Sequence, residues 1–137
     1  MPIKIKKMII CDGIREEKSG KYTIVGMYHD DTIYVLVPIP YIHPSLGIFI
    51  FGEVDKKVKN MVVKIVDPQD GILVNLPAQS KIDGKDTSDP SVFNIILNTN
   101  GLPFNYSGEY KIFLTADDEE ISTSFFVKQQ PPSTKEN

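Results

Sequence analysis

Cys11, His29 and Asp31 are the residue types of a nucleophile, a base and the group that orients the base. Their chemistry would be covalent, and it requires the thiol and the imidazole within hydrogen-bond reach of each other. If the first two strands pair around a turn near Lys18, Cys11 falls opposite Ile24 and His29 opposite Lys6. The two groups then lie about 16 Å apart along the ladder, at roughly 3.3 Å per residue. That separation excludes proton transfer and leaves Cys11 as a buried strand cysteine.

A second grouping, His29, Asp30, Asp31 and His43, has donor atoms suited to zinc or a related ion. It lacks a ligand spacing such as H-x-x-x-H and reads as solvated loop residues, so no metal site is assigned. A third, Asp67 and Asp70 with Asp83, Asp86 and Asp89, could gather calcium at one end of a β fold. DGKDTSD lacks the EF-hand order and its closing Glu, and Asp in turns serves its own backbone. The chain has no Gly-rich phosphate loop, nucleophile elbow or zinc-finger spacing. No catalytic residue and no cofactor is assigned.

The elements that would position these residues are strands. Period-two alternation runs through IKIKKMIICDGI (3–14), YTIVGMY (22–28), LGIFIFGEV (46–54), VFNIILNT (92–99) and the closing hairpin SGEYKIFLTADDEEISTSFFV (107–127). In that hairpin Tyr110, Ile112 and Leu114 share one face, as do Ile121, Thr123, Phe125 and Val127. Pro38, Pro40 and Pro44 place 38–45 at an edge or in a crossing between sheets. NGLPFNYSG reads as a second crossing loop.

Residues 53–66 carry a rival helical stripe, Val54, Val58, Met61, Val62 and Ile65. The β-branched run MVVKIV favours a strand instead. DPQDG (67–71) is a turn, and 78–91 an exposed loop. Short strands punctuated by turns predict an all-β fold, a two-layer immunoglobulin-like antiparallel β-sandwich of 7–9 strands. Residues 1–128 form its single domain and 129–137 a flexible tail. Gly108–Glu109–Tyr110 fits the Gly-x-Tyr step that tethers a crossing loop in such sandwiches.

The composition narrows the function. The 137 residues carry a net charge of −3, too little basic field for nucleic acid. Lys4, Lys6 and Lys7 are read as a solvated face. One cysteine excludes an intrachain disulfide and fits a reducing, cytoplasmic setting. The apolar stretch in MPIKIKKMIICDG is too short for a secretory signal, and no run is long enough for a membrane span.

The string IICDGIREEKSGKYTIVGMYHDDTIYV resembles the opening of a family of uncharacterised bacterial β-sandwich proteins, a domain of unknown function. The shared pattern is Cys11–Asp12, Arg15–Glu16–Glu17, Gly20–Lys21, Val25–Gly26–Met27–Tyr28 and Asp30–Asp31. Gly108-x-Tyr110 and Phe125-x-Val127 extend it to the C-terminal strands. The similarity is specific over 8–35 and 104–127. It implies a bacterial or phage source and a two-sheet sandwich, and it carries no activity.

These readings point to a non-enzymatic protein-binding or assembly module of unknown partner. Its expected interaction residues are Tyr28, His29, Asp30, Asp31, Tyr34, Tyr41 and His43, since tyrosine joins contact area to a polar tip. The alternative is a calcium- or lipid-responsive docking domain, and the least favoured is a cysteine or metal enzyme. Ile48 and Ile50 face one way along LGIFIFGEV, and Phe49 and Phe51 the other. The outer Phe pair predicts cover by the 38–45 loop or by a second copy, a two-fold homo-oligomer.

Overall fold

The computed structural model describes residues 3–54, 60–77 and 92–130. They form ten strands: β1 (Ile3–Cys11), β2 (Gly13–Glu16), β3 (Tyr22–Val25), β4 (Thr32–Val35), β5 (Tyr41–Val54), β6 (Met61–Val66), β7 (Ile72–Pro77), β8 (Val92–Phe104), β9 (Gly108–Ala116) and β10 (Glu119–Gln129). A 3-10 turn at His29–Asp31 is the one helical element among them. Among the described residues, no helix is long and apolar enough to cross a membrane.

One sheet has the order β1-β5-β8 and a second the order β4-β10-β9-β6-β7, while β2 and β3 pair as a separate hairpin. The pairing is antiparallel except that β4 runs parallel to β10, Phe126 beside Thr32. A wholly antiparallel architecture is therefore corrected at that edge. The two larger sheets share one core. Ile10, Ile48, Ile50 and Ile95 meet Val63, Ile65, Ile112, Leu114, Phe125 and Val127 in a single buried cluster.

The strand reading of 61–66 holds: Met61, Val63 and Ile65 are buried between half-exposed Val62 and Lys64. β-branched side chains pack on the pleat without the rotamer loss a helix would impose. Residues 55–59 of the preceding connection lie outside the described residues, as do 78–91 and 131–137. Lys4, Lys6 and Lys7 are exposed, as expected.

Alternation misplaces part of β1. A register shift between Ile5 and Lys7 moves its inward phase, so Ile3 is buried before the bulge and Ile10 after it. The crossings at 38–45 and 100–108 are also shorter than expected. β5 begins at Tyr41 and β8 continues to Phe104, paired to each other as Tyr41 to Phe104 and His43 to Leu102. Between Ser45 and His43, and between Asn100 and Leu102, both strands exchange the face they bury. Gly101, at φ +77, lies in that exchange, where a Cβ would strain the backbone. The far ends of β5 and β8 thus bury His43, Leu102 and Phe104.

The closing hairpin forms as read. Tyr110 pairs with Phe125 and Leu114 with Ile121. Tyr110 is fully buried, and its hydroxyl donates to the carbonyl of Tyr106 at 2.6 Å, tying the β8–β9 connection to the core. Burial, then the carboxylate of Asp67 and Tyr106, hold that phenol above its ordinary value, opposed by the bond to Tyr106. Tyr110→Phe keeps the ring and strands the Tyr106 carbonyl. It should cost about 1–3 kcal/mol in urea unfolding.

Candidate functional site

The chain leaves the first sheet after Cys11 and turns into the β2–β3 hairpin. Gly13 pairs with Val25 and Glu16 with Tyr22. That register corrects the one expected from a turn near Lys18, which would set Gly13 against Tyr22. The turn instead closes around Ser19, with the Glu17 N–H bonded to Lys21 O and the Gly20 N–H to Glu17 O. Cys11 belongs to β1 and pairs with Gly47. Its thiol is buried, with Sγ 3.4 Å from Gly13 O and 3.5 Å from Gly47 O. Burial pushes the thiol up, against the bond to Gly13 and with a smaller push from Asp12. A raised thiol is a poor nucleophile at neutral pH.

His29 turns to solvent instead of to Cys11. Its side chain is 90% exposed, and Nδ1 lies 3.1 Å from Asp30 Oδ1. Asp30 and Asp31 both take left-handed backbone, at φ 63 and 52. Burial first, then Asp30, raise the Asp31 carboxyl. Tyr34 stands on edge strand β4, about half exposed. The expected interaction set therefore divides. Tyr28, Tyr41 and His43 come together, whereas His29, Asp30, Asp31 and Tyr34 are placed apart from them.

The shared centre is His43 on β5. Its ring stacks on Phe104 at 5.1 Å, meets Tyr41 edge-on at 5.7 Å and lies 6.5 Å from Tyr28. Nδ1 is 3.2 Å from Tyr41 Oη. Nε2 is buried with no hydrogen-bond partner. Burial lowers the imidazole pKa, and Asp12 pulls it part of the way back. Asp12 accepts the Tyr28 hydroxyl at 2.8 Å. Burial and then that bond push the Tyr28 phenol far above its ordinary range, so it stays a donor. Asp12 and Phe104 were not selected from the sequence as functional. The signal for Asp12 is its place in the shared Cys11–Asp12 pattern, which carries no role for it.

Phe49 and Phe51 are half-buried, and Phe49 packs on Tyr22 of the hairpin at 5.8 Å. The β2–β3 hairpin, not the 38–45 loop, makes that contact. It is fastened to β8 by Asn98, whose amide donates to Ile14 O and accepts the Ile14 N–H, both at 3.0 Å. Ser45 Oγ adds a bond to Asp12 O. Asn98→Leu should free Ile14 for amide exchange while leaving global stability within about 1 kcal/mol, since the lost bonds are exposed.

In the DPQDG turn, Asp67 Oδ1 accepts the N–H groups of Gln69 and Gly71, each at 2.8 Å. The carboxylate thus serves its own turn, as expected of Asp there. Asp83, Asp86 and Asp89 lie outside the described residues. Among the described residues, no group of three or more His, Cys, Asp or Glu side chains could hold a metal ion. A groove of about 470 Å³ runs between the hairpin, β7 and β8, lined by Ile14, Tyr22, Leu76 and Asn94 among others.

A family model covers residues 6–127, from the first strand through Val127 of the last. The chain belongs to DUF6941, a family of unknown function. The DUF6941 match takes in the hairpin, the His43 cluster and the closing strands alike, and it spans the chain between the two stretches of specific resemblance. A search of curated proteins returns no match.

Proposed function

We propose that this DUF6941 chain is a non-enzymatic protein-binding or assembly module of a bacterial or phage cytoplasm, built on an immunoglobulin-like sandwich. Two features support the sandwich reading. The orders β1-β5-β8 and β7-β6-β9-β10 follow strands A-B-E and C′-C-F-G of that architecture, and the bond from Tyr110 to Tyr106 O has the form of its tyrosine corner.

The observation that carries the binding reading is a rigid apolar display beside β4. Leu36 is 75% and Val37 45% exposed. Their backbone is pinned: the Gln129 amide accepts the Ile39 N–H at 3.0 Å and donates to Val37 O and Val35 O, and the Gln130 N–H reaches Val35 O. Apolar side chains held in water by a main chain tied at Val35, Val37 and Ile39 are preorganised for contact, which reduces the ordering cost of binding. Val25, Met27, Tyr34 and Ile42 are exposed in the same stretch of chain. Residues 25–42 thus hold six of the eleven large apolar side chains exposed among the described residues, which makes this stretch the first place to look for a partner.

The test pairs a pull-down from the source organism with Leu36→Lys plus Ile42→Lys. A partner lost by the variant at unchanged melting temperature supports the reading, and a partner retained opposes it. If the captured species is a second copy, the module acts by self-association, and light scattering then gives the mass of a dimer.

A further inference from the structure

The groups around His43 form a junction that joins four parts of the chain. Asp12 stands where β1 passes into β2. Its N–H reaches Val25 O and Gly26 O at 2.9 and 3.1 Å, its carboxylate takes the Tyr28 hydroxyl, and its carbonyl accepts Ser45 Oγ from β5. Tyr28 leads into the His29–Asp31 turn, and its N–H bonds to Ile10 O at 2.8 Å. From β5 come Tyr41 and His43, and from β8 comes Phe104. Cys11, on β1, is the remaining titratable group beside Tyr28.

His43 is 7% exposed among three aromatic rings, with Nε2 unpartnered. If Tyr41 Oη donates to Nδ1, the imidazole proton sits on Nε2; the reverse tautomer puts it on Nδ1. Neither arrangement gives Nε2 a protein partner. The neutral ring tolerates this site, but an imidazolium adds a second proton and a full charge to it. The nearest carboxylate, Asp12, is already engaged by Tyr28. A charged His43 must leave this unpartnered site or turn toward Asp12, and either movement displaces the Tyr28 ring packed 6.5 Å away.

We infer that Asp12, Tyr28 and His43 form an acid-operated latch: protonation of His43 frees the segment Gly26–Asp31 from the His43 ring and from its main-chain bonds to Ile10 and Asp12, while the two main sheets stay paired. The direction follows from burial. A histidine that resists protonation when folded contributes stability above its unfolded pKa of about 6.5, and that contribution is lost as pH falls toward the lowered folded value.

Amide exchange measured by mass spectrometry tests the latch on the full chain, at about pH 7.5 and pH 5, corrected for intrinsic exchange. Peptides covering Gly26–Thr32 should lose about tenfold protection in acid for each unit that His43 titrates through, while β9–β10 peptides keep theirs. His43→Phe should abolish the acid response and retain protection at neutral pH. Should that variant not fold, proton resonance of the unmodified protein decides. The His43 C2–H signal, assigned with the help of His29→Asn, must titrate with the midpoint at which the 26–32 segment opens. The latch is overturned if the protection of that segment is the same at both pH values, if the two midpoints differ, or if His43→Phe keeps the acid response.

Discussion

Phe104→Ala should remove about 3–5 kcal/mol of stability, the range for truncating a buried aromatic side chain. Phe104 is fully buried and joins two groups of rings. It faces His43 at 5.1 Å and Tyr41 at 6.4 Å on one side, and Tyr110 at 5.3 Å and Phe125 at 6.5 Å on the other. The first pair belongs to β5, the second to the closing hairpin, so the lost volume opens a cavity between two sheets that cannot collapse independently. Each edge or stacked contact adds to the area term. Against a total of about 5–15 kcal/mol this is a large fraction, equivalent to a fall of about 10 °C or more in melting temperature. Urea unfolding at neutral pH is the measurement. Were Phe104 in a crossing loop, as the Pro103 neighbourhood suggests from sequence, the same change would cost about 0.5 kcal/mol.

Gly52→Ala should be nearly as damaging, by about 3 kcal/mol, the upper end of the overpacking range. The β1 backbone and the β8 side chain both close on this position. A Cβ there would collide with the Lys4 carbonyl oxygen and lie 2.6 Å from Cε1 and Cζ of Phe93. Phe93 pairs with Gly52 and is 2% exposed, so the ring has no free space to rotate into. The carbonyl is main chain, held next to the β1 bulge, so relief requires moving a strand. Gly13→Ala is the control: nothing lies within 4 Å of its Cβ, and its unfolding midpoint should stay within about 0.5 kcal/mol of the parent. If Gly52→Ala proves as mild as Gly13→Ala, the packing of β1 on β5 described above is wrong.

Gly52 also shows what was readable in advance. A lone Gly between Phe51 and Glu53 signals close backbone approach, but not which chain approaches. The strands with clean alternation, β6, β9 and β10, were legible because each keeps one inward phase over most of its length. Met61, Val63 and Ile65, then Tyr110, Ile112 and Leu114, fill the core as their spacing requires. The failures lie where a local backbone event changes phase. The β1 bulge and the exchange of buried faces near Gly101 are invisible to a fixed period of two. Parallel pairing of β4 with β10 escaped for a different reason: it joins residues 94 apart, Thr32 and Phe126, with no turn between them to announce it.

The candidate site was half legible. Tyr28, Tyr41 and His43 could be chosen for their types, yet His29 and Tyr34 share those types and are exposed to solvent. What separates the two groups is the Asp12 junction, set by the hairpin register, and that register was misjudged by three residues.

The central claim, that the pinned apolar stretch beside β4 is a docking surface, is tested most directly by site-specific photo-crosslinking in the source organism. A crosslinking residue replaces Leu36 in one variant and Ile42 in another, with exposed Lys18 and Lys111 as control positions. The account predicts one adduct of the same defined mass from positions 36 and 42, and none from 18 and 111. Failure to form an adduct at 36 and 42, or an identical adduct from all four positions, would contradict it.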